Sequence, residues 1–292
     1  MKISKKDLFE VGLIYLAVAV LGYVAMEVVE GHSIFRAAVA NTIMTFVIFC
    51  VSLWKENSSA YDAYWSVIPS FLTIWLIIEP NATSWGLWQW ATMLLVNCWS
   101  WRLTYNWATG WSGWEHEDWR YIQLRHQTGR LYPLVNLTGI HFFPTALVFL
   151  ACLSLFQIAS SSVFTKPLMV IGLSIGFAGV IIEAISDAQL RKFRTTVDEG
   201  ISGHTRTVLR TGIWKYIRYP NYLGELMFWW GLAILGLGAE GKWWLMIGAL
   251  GMIALFVFVS IPMKNQRMEK RYAAYKDYRS QTPAFLPTRN HN

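Results

Sequence analysis

The stretch Trp214–Glu225 reads WKYIRYPNYLGE and separates a basic loop from an apolar segment. Pro220 fits the first turn of a helix, because the amide hydrogen that proline lacks would have no partner there. Tyr219, directly before it, is biased away from helical dihedral angles. The sequence therefore predicts that a helix begins at Pro220 and continues through the apolar run that follows it.

Two polar side chains lie in the first turns of this predicted helix. Asn221 and Glu225 are four residues apart, so both leave the same helix face. A carboxylate at this depth in an apolar segment requires a partner or a function. The same stretch adds aromatic and basic groups through Tyr216, Arg218 and Tyr222. We interpret it as the mouth of a binding site.

The composition of the chain is typical of a membrane protein. Of its 292 residues, 54% are hydrophobic and 15% are charged, and the mean hydropathy is +0.33. Crossing a hydrocarbon core of ~30 Å takes about 20 apolar residues. Eight apolar segments predict an all-α, polytopic membrane bundle of about seven or eight transmembrane helices. The segments are Leu8–Met26, Ile34–Trp54, Tyr64–Ile78, Trp85–Tyr105, Leu134–Ile158, Leu168–Ser186, Pro220–Gly238 and Trp243–Pro262.

The position of the charges predicts the orientation of the chain. The net charge of +7 would suit nucleic acid binding in a soluble protein, but the basic residues cluster on one side of the predicted bundle. Eight crossings leave only Arg36, Lys166 and Lys242, of the 25 Lys and Arg, on the side opposite the N-terminus. By the positive-inside rule the basic side is the cytoplasm. We therefore expect both termini in the cytoplasm and no nucleic acid partner.

Asp62 lies at the entrance to the third segment, among Tyr61, Tyr64 and Trp65. One interpretation is a carboxylate in the first helical turn that the helix dipole stabilises. The other is a carboxyl group that polarises a bound substrate. The residues alone leave both open.

Arg102 occurs before the fourth apolar run has ended. It either extends its head group to the interface or stays buried in a cavity, where it would bind an anion. The long polar connection beyond it contains Arg120 and Tyr121. Surface ion pairs explain part of its composition, and contacts with a phosphate and a base are the alternative.

A polar face runs along the end of the sixth segment, EAISDAQLRKFR. Glu183, Asp187, Arg191 and Arg194 step by four, four and three positions, which places them on one side of a helix with about 100° per residue. Ion pairs within the helix are one interpretation. The other is a site that binds hydroxyl groups at its acidic end and phosphates at its basic end.

His141 is a lone histidine in an apolar helix. We interpret it as a packing residue, since no second His or Cys lies at the spacing that a metal site requires. The sequence predicts no metal centre.

The stretches EAISDAQLRKFR and WKYIRYPNYLGE, in this order, resemble the steroid 5-alpha-reductase family and its bacterial relatives of the DUF1295 type. The resemblance covers about residues 60–287 and includes the closing YKDY and FLP. Residues 1–33 would be an additional N-terminal transmembrane helix of a single membrane domain, 1–292. The second stretch alone also resembles sterol C14 reductases and isoprenylcysteine or phospholipid methyltransferases, so the pair carries the resemblance.

The resemblance implies an NADPH-dependent membrane oxidoreductase of lipid or steroid metabolism. It would transfer hydride to the C=C bond of an enone such as a 3-oxo-4-ene steroid. Its expected partners are this lipid-soluble substrate and membrane lipid, and a monomer is compatible with the sequence. With no organelle signal in the sequence, the expected location is a bacterial inner membrane, with the mouth of the active site facing the cytoplasm.

Four other functions remain open at this point. Two are enzymatic, a sterol C14-type reductase and a membrane methyltransferase that uses S-adenosylmethionine. The others are a non-catalytic sterol or lipid receptor and a transport protein, whose intramembrane charges could look similar. S-adenosylmethionine carries no phosphate, so the basic end formed by Arg191 and Arg194 favours a reductase over a methyltransferase.

The resemblance also implies roles for individual residues. The catalytic set is Asp62, Tyr64 and Glu225, and the substrate would contact Asp62, Trp65 and Trp99. The implied cofactor site consists of Arg102, Arg120, Tyr121, Glu183, Asp187, Arg191, Arg194, Tyr216, Arg218, Asn221, Tyr222, Glu225 and Tyr278.

Asp62 would be kept protonated by burial and would polarise the substrate carbonyl. The chain departs from the family pattern at three positions. Glu183 stands where the steroid enzymes have Asn, and Tyr219 replaces a common His. Trp99 stands where a substrate-polarising Tyr would be, so that a phenol, if one is needed, must come from Tyr61, Tyr64 or Tyr105.

Overall fold

A computed structural model describes residues 4–79, 84–200 and 208–285, with only the backbone described for 195–200. Every regular element in these ranges is helical, which confirms the predicted all-α class. The α-helices are α1 (Lys5–Val28), α2 (Ser33–Trp54), α3 (Tyr61–Ile78), α4 (Leu87–Gly110), α5 (Trp119–Thr128), α6 (Tyr132–Val135), α7 (Phe143–Ser160), α8 (Lys166–Gly200), α9 (Pro220–Gly238), α10 (Ile247–Ala254), α11 (Ile261–Arg271) and α12 (Tyr275–Gln281).

Short 3₁₀ and π segments connect several of these helices. The π segments Asn136–Phe142 and Leu255–Ser260 join α6 to α7 and α10 to α11 without a break. The 3₁₀ segments are Ser58–Ala60, Gly129–Leu131, Gly212–Lys215 and Trp243–Met246.

Six stretches of the described residues are long and apolar enough to cross a membrane, consistent with an integral membrane protein. They are Lys5–Val28, Ser33–Trp54, Ser58–Ile78, Trp119–Ser160, Lys166–Arg194 and Trp243–Arg271. Helices α4 and α9 are outside this group, although they contain 24 and 19 residues. The count of seven or eight crossings and the cytoplasmic position of both termini stay predictions.

The sequence predicted the boundaries of α9 but not the presence of α5. α9 begins at Pro220 and ends at Gly238, as the sequence predicts. The polar connection after α4 contains a helix, α5, that its composition did not reveal. This helix begins where the Asp118 side chain accepts a hydrogen bond of 2.9 Å from the Arg120 amide, which is the usual action of an N-cap residue.

Helices α8 and α9 pack with their backbones in close contact. A β-carbon on Gly231 would lie 2.7 Å from the carbonyl oxygen of Gly172, and one on Gly224 would lie 2.6 Å from that of Gly179. Small residues allow such an approach between helices in membranes. The approach brings Glu183 of α8 and Glu225 of α9 toward the same Arg102 guanidinium of α4.

Helix α1 packs into the same apolar core as the rest of the bundle, through residues such as Val18 and Met26. The hydroxyl of Tyr15 donates to the carbonyl oxygen of Ala60, directly before α3. The indole nitrogen of Trp114 donates to Glu10 at 3.0 Å. α1 therefore contacts the entrance of α3 and the connection that follows α4.

Candidate functional site

Arg102 of α4 lies at the centre of a buried charged cluster. Its Nη1 is 2.8 Å from Oδ2 of Asp187, and its Nη2 forms an ion pair with Glu183. The same Nη2 lies 3.9 Å from Oε2 of Glu225. Only 14% of the Arg102 side chain is exposed. The guanidinium is thus buried and paired, which decides against extension to the interface.

Asn106 of α4 extends the cluster along α8. The side-chain Nδ2 of Asn106 donates to Asp187, and Nη1 of Arg191 donates to the side-chain Oδ1 of Asn106. These contacts run between α4 and α8, so the polar face of α8 binds a neighbouring helix. Arg191 and Arg194 are exposed at its end. The predicted gradient from acidic to basic groups therefore runs from the core to the surface.

Glu225 is held by two indole groups. The indole nitrogen of Trp99 donates to Oε2 and that of Trp229 to Oε1, each at 3.0 Å. The ring of Trp99 stacks on Phe228 with 4.4 Å between centroids. Because Glu225 is 5% exposed, two directed donors fix the plane of a carboxylate that water hardly reaches.

Asn221 lies on the same face of α9 as Glu225, one turn earlier. Its Oδ1 is buried and has no hydrogen-bond partner among the residues that the structure describes. An amide oxygen buried without a donor costs free energy on the order of 1–3 kcal/mol. This atom is therefore suited to accept a hydrogen bond from a ligand.

A second cluster surrounds Asp62 at the start of α3. Its Oδ1 accepts a hydrogen bond of 2.5 Å from the Tyr121 hydroxyl and one of 3.0 Å from Nη2 of Arg120. A guanidinium stabilises a carboxylate and burial disfavours it, so the protonated Asp62 expected from the sequence stays a prediction. Asp62 therefore contacts one phenol and one guanidinium through the same oxygen.

Arg120 also bridges to Asp118. Its Nε lies 2.8 Å from Oδ1 of Asp118. Burial acts to raise the pKa of Asp118, but the Arg120 guanidinium outweighs burial and holds that pKa below its ordinary value. Arg120 thus bridges the two acids Asp62 and Asp118.

Aromatic residues of α3 and α4 connect the two clusters. Asp62 and Trp65 are three residues apart and share a face of α3. The ring centroids of Trp65 and Trp99 are 5.8 Å apart, and Trp99 donates to Glu225. A continuous path of contacts therefore leads from the face of α3 that carries Asp62 to the Glu225 carboxylate.

Tyr64 does not belong to this path. Its hydroxyl lies 3.3 Å from Oγ1 of Thr45 on α2, on the other side of α3. The hydroxyl of Tyr61 contacts Thr145 at 2.8 Å, and Tyr105 is 63% exposed. The phenol that lies against Asp62 is therefore Tyr121, which the sequence assigned only to the cofactor.

His141, in the π segment before α7, packs against α2 and α3. It is fully buried, and its Nδ1 is 3.0 Å from the Asn136 carbonyl oxygen. Its ring packs 4.6 Å from that of Tyr61. Its Nε2 is buried and has no hydrogen-bond partner among the described residues, so the packing role stays a prediction.

Two residues of the predicted cofactor set, Tyr278 and Arg218, make contacts within the C-terminal region, and a third, Tyr216, is exposed. The Tyr278 hydroxyl donates to the Trp214 carbonyl oxygen at 2.6 Å. Nη1 of Arg218 donates to the Arg279 and Thr282 carbonyl oxygens. Tyr216 is 60% exposed. The first two hold the C-terminal helix against the loop before α9.

Tyr222, on the turn that follows Pro220, contacts aromatic rings. Its ring stacks on that of Tyr219 with 5.3 Å between centroids and lies 4.7 Å from that of Phe256. The contacts given by the structure therefore place it in the packing between α9 and the π segment before α11.

Residues 48–282 match the family model described as "Protein of unknown function (DUF1295)". The chain belongs to the DUF1295 family. Helix α1 and most of α2 precede the matched region of this DUF1295 protein.

Curated proteins show more distant similarity to this DUF1295 chain. "Uncharacterized protein C594.04c" of Schizosaccharomyces pombe is 24% identical over 267 residues, which cover 84% of this chain and 77% of that protein. "3-oxo-5-alpha-steroid 4-dehydrogenase 1" of Macaca fascicularis is 26% identical over 159 residues, 54% of each chain. The Homo sapiens protein of that name is 32% identical over 77 residues, 26% of this chain and 28% of that protein.

The matches to the steroid 4-dehydrogenases span about half of their length or less. No solved structure matches the chain significantly. This weak similarity to steroid 5-alpha-reductases supports a membrane reductase family and indicates an enzyme.

Two residues that contact the buried charged cluster around Arg102 were not predicted from the sequence. Asn106 follows Arg102 by four positions, and Trp229 follows Glu225 by four. This i, i+4 spacing puts each on the helix face of a residue that was already singled out. The spacing was therefore the signal that could have found both.

Proposed function

We propose that the protein is an NADPH-dependent membrane reductase that transfers hydride to the C=C bond of an enone such as a 3-oxo-4-ene steroid. The observation that carries this proposal is the buried Arg102 of α4, paired with Glu183 and Asp187 of α8 and close to Glu225 of α9. The weak similarity to 3-oxo-5-alpha-steroid 4-dehydrogenase 1 supports it.

The residues present fit a phosphorylated pyridine nucleotide. The nicotinamide carboxamide carries two N–H donors, and the buried Oδ1 of Asn221 lacks a donor within the described ranges. The exposed guanidinium groups of Arg191 and Arg194, at the end of the same polar face, suit phosphate oxygens. When bound, NADPH supplies a hydride to one carbon of the double bond.

The cluster holds its groups in fixed orientations. Two acids orient the guanidinium of Arg102, and two indole nitrogens orient the carboxylate of Glu225. Groups that are already oriented need no reorganisation during the reaction. We propose that Glu225 and Asn221 position the nicotinamide end, and that the aromatic rings of Trp65 and Trp99 exclude water from it.

Asp62 and Tyr121 are proposed to act on the substrate carbonyl. The Tyr121 hydroxyl donates its proton to Oδ1 of Asp62 across 2.5 Å, and Nη2 of Arg120 donates to the same oxygen at 3.0 Å. Donation of this proton toward a ketone oxygen would stabilise the negative charge that develops there as the conjugated double bond is reduced. The proposed polarising group is therefore the pair of Asp62 and Tyr121.

Cofactor choice tests the proposal. We expect NADPH to raise the melting temperature of the purified protein in detergent, and S-adenosylmethionine to leave it unchanged. The variant Arg191→Gln/Arg194→Gln should bind NADPH roughly tenfold or more weakly, because two charge-assisted contacts are lost. Arg130→Gln removes an exposed charge elsewhere and serves as the control. A shift with S-adenosylmethionine but none with NADPH would favour a methyltransferase.

A further inference from the structure

A groove between α5 and α11 contains none of the residues assigned above to the reductase site. Its volume is about 440 Å³. One part of its lining is apolar and the other is basic. The lining includes Trp119, Ile122, Met263, Arg267, Lys270 and Arg271.

Arg267 is fixed against one wall of this groove. Its guanidinium carbon lies 4.0 Å from the centroid of the Trp119 ring. Its Nη1 is buried and finds no hydrogen-bond acceptor in the described part of the chain. A buried charged donor without an acceptor is costly. The stacking therefore presents a guanidinium that needs an anionic partner.

Two acidic side chains near the groove in sequence form ion pairs with arginines outside the groove. Asp118 pairs with Arg120 at 2.8 Å, and Glu269 on α11 pairs with Arg279 at 2.5 Å. Lys270 and Arg271 are exposed at the end of the same helix. The groove is thus positively charged, with one half-buried and two exposed cations.

The apolar part of the groove indicates where it lies. Trp119 and Ile122 of α5 face Met263 of α11, and α11 completes the candidate membrane span Trp243–Arg271. Tryptophan and basic residues at the end of a span are typical of the membrane–water interface. Phosphate groups are found at this depth as lipid head groups and at its aqueous edge as soluble compounds.

We propose that this groove is a phosphate-binding site, in which Arg267 is the central ligand and Lys270 and Arg271 neutralise the remaining charge. The ligand is the phosphate of an anionic lipid or of a soluble phosphate compound. The site goes beyond the proposed reductase activity, because it shares no residue with the cluster around Arg102.

Binding can be measured with two probes on the full chain in neutral detergent. Dioctanoyl phosphatidic acid carries a lipid phosphate, and inorganic pyrophosphate carries a soluble one. We expect at least one to bind, and Arg267→Gln to weaken it by roughly tenfold or more. If Arg267→Gln weakens the binding of phosphatidic acid alone, the groove is a lipid site. If it weakens the binding of pyrophosphate, the ligand is a soluble phosphate compound.

Lys270→Gln/Arg271→Gln removes two exposed charges and leaves the packing of Arg267 on Trp119 in place. This variant tests the site even if Arg267→Gln fails to fold. The matched control is Arg130→Gln/Lys276→Gln, which removes one arginine and one lysine outside the groove and should change affinity by less than about twofold. The proposal is overturned if neither probe binds the wild-type protein, or if the groove and control variants bind equally well.

Discussion

Nη1 of Arg102 lies 2.8 Å from Oδ2 of Asp187, although the two residues are 85 positions apart in the sequence. The contact joins α4 to α8, and the same guanidinium pairs with Glu183. Neither stretch identified its partner when considered alone. Together they form a buried charged cluster that the Glu225 carboxylate of α9 completes.

Replacement of Arg102 tests whether this cluster stabilises the fold. Arg102→Met leaves Glu183 and Asp187 without their guanidinium, and we expect a loss of about 3–5 kcal/mol because removing one partner strands a buried charge. Arg102→Lys keeps the charge and should lose less. Melting in detergent measures both, with Arg130→Met as the exposed control. Equal melting temperatures for Arg102→Met and Arg130→Met would contradict the assigned pairing.

Replacement of Gly231 tests the approach of α8 and α9. In Gly231→Ala the new methyl group meets the Gly172 carbonyl oxygen, so we expect destabilisation of about 1–3 kcal/mol from overpacking. Gly12→Ala is the matched control, since no atom lies within 4 Å of a β-carbon there. Alanine at that exposed helical position should be neutral or stabilising. If both variants melt at the wild-type temperature, the helices do not pack as described.

Trp229 should act through Glu225 as a positioning residue. Trp229→Phe keeps an aromatic ring but removes the 3.0 Å hydrogen bond to Oε1. We expect kcat/KM for the proposed reduction to fall roughly tenfold, which corresponds to ~1.4 kcal/mol. Trp90→Phe, at a tryptophan that is 49% exposed, should retain activity.

A merely structural role for Trp229 predicts a different pattern. In that case Trp229→Phe would lower the melting temperature and leave the kinetics of the folded fraction unchanged. The positioning role requires a change in kcat at a melting temperature close to that of the wild type.

The C-terminal region should lose stability at alkaline pH. The hydroxyls of Tyr219 and Tyr275 are 2.7 Å apart, and each lies 2.7 Å from Oδ1 of Asn265. Burial raises the pKa of both phenols above the ordinary value. A raised folded-state pKa means that the stabilisation is complete below the unfolded pKa, about 10, and is lost as the pH rises above it.

The measurement is the melting temperature at pH 8 and at pH 10.5 for wild type and for Tyr219→Phe/Tyr275→Phe. The double variant should show a smaller alkaline decrease, because its rings no longer ionise. Tyr216→Phe, at an exposed position, should behave as wild type. An unchanged alkaline decrease in the double variant would assign the effect to other groups.

Local signals were sufficient for some parts of the fold. The start of α9 followed from Pro220, because the proline rule depends only on neighbouring residues. The polar face of α8 followed from the spacing of Glu183, Asp187, Arg191 and Arg194. Helix α5 was missed because its polar composition lacks an apolar period, and Asp118 was not recognised as its N-cap.

Contacts between distant residues could not be predicted from one sequence. The indole of Trp99 reaches Glu225 across 126 positions, and this contact depends on the close packing that the glycines of α8 and α9 allow. The pairing of Asp62 with Tyr121 depends in the same way on how α5 folds back against α3. The sequence indicated which residues are polar and buried, whereas tertiary packing decided their partners.

The most direct test of the proposed activity is NADPH consumption by the purified protein with a panel of steroid and non-steroid enones. We predict that at least one enone is reduced, with one NADPH consumed per saturated ketone formed. Asp62→Asn and Tyr121→Phe should lower this turnover while NADPH still binds. Tight NADPH binding without oxidation by any enone, or full turnover in Asp62→Asn, would contradict the account.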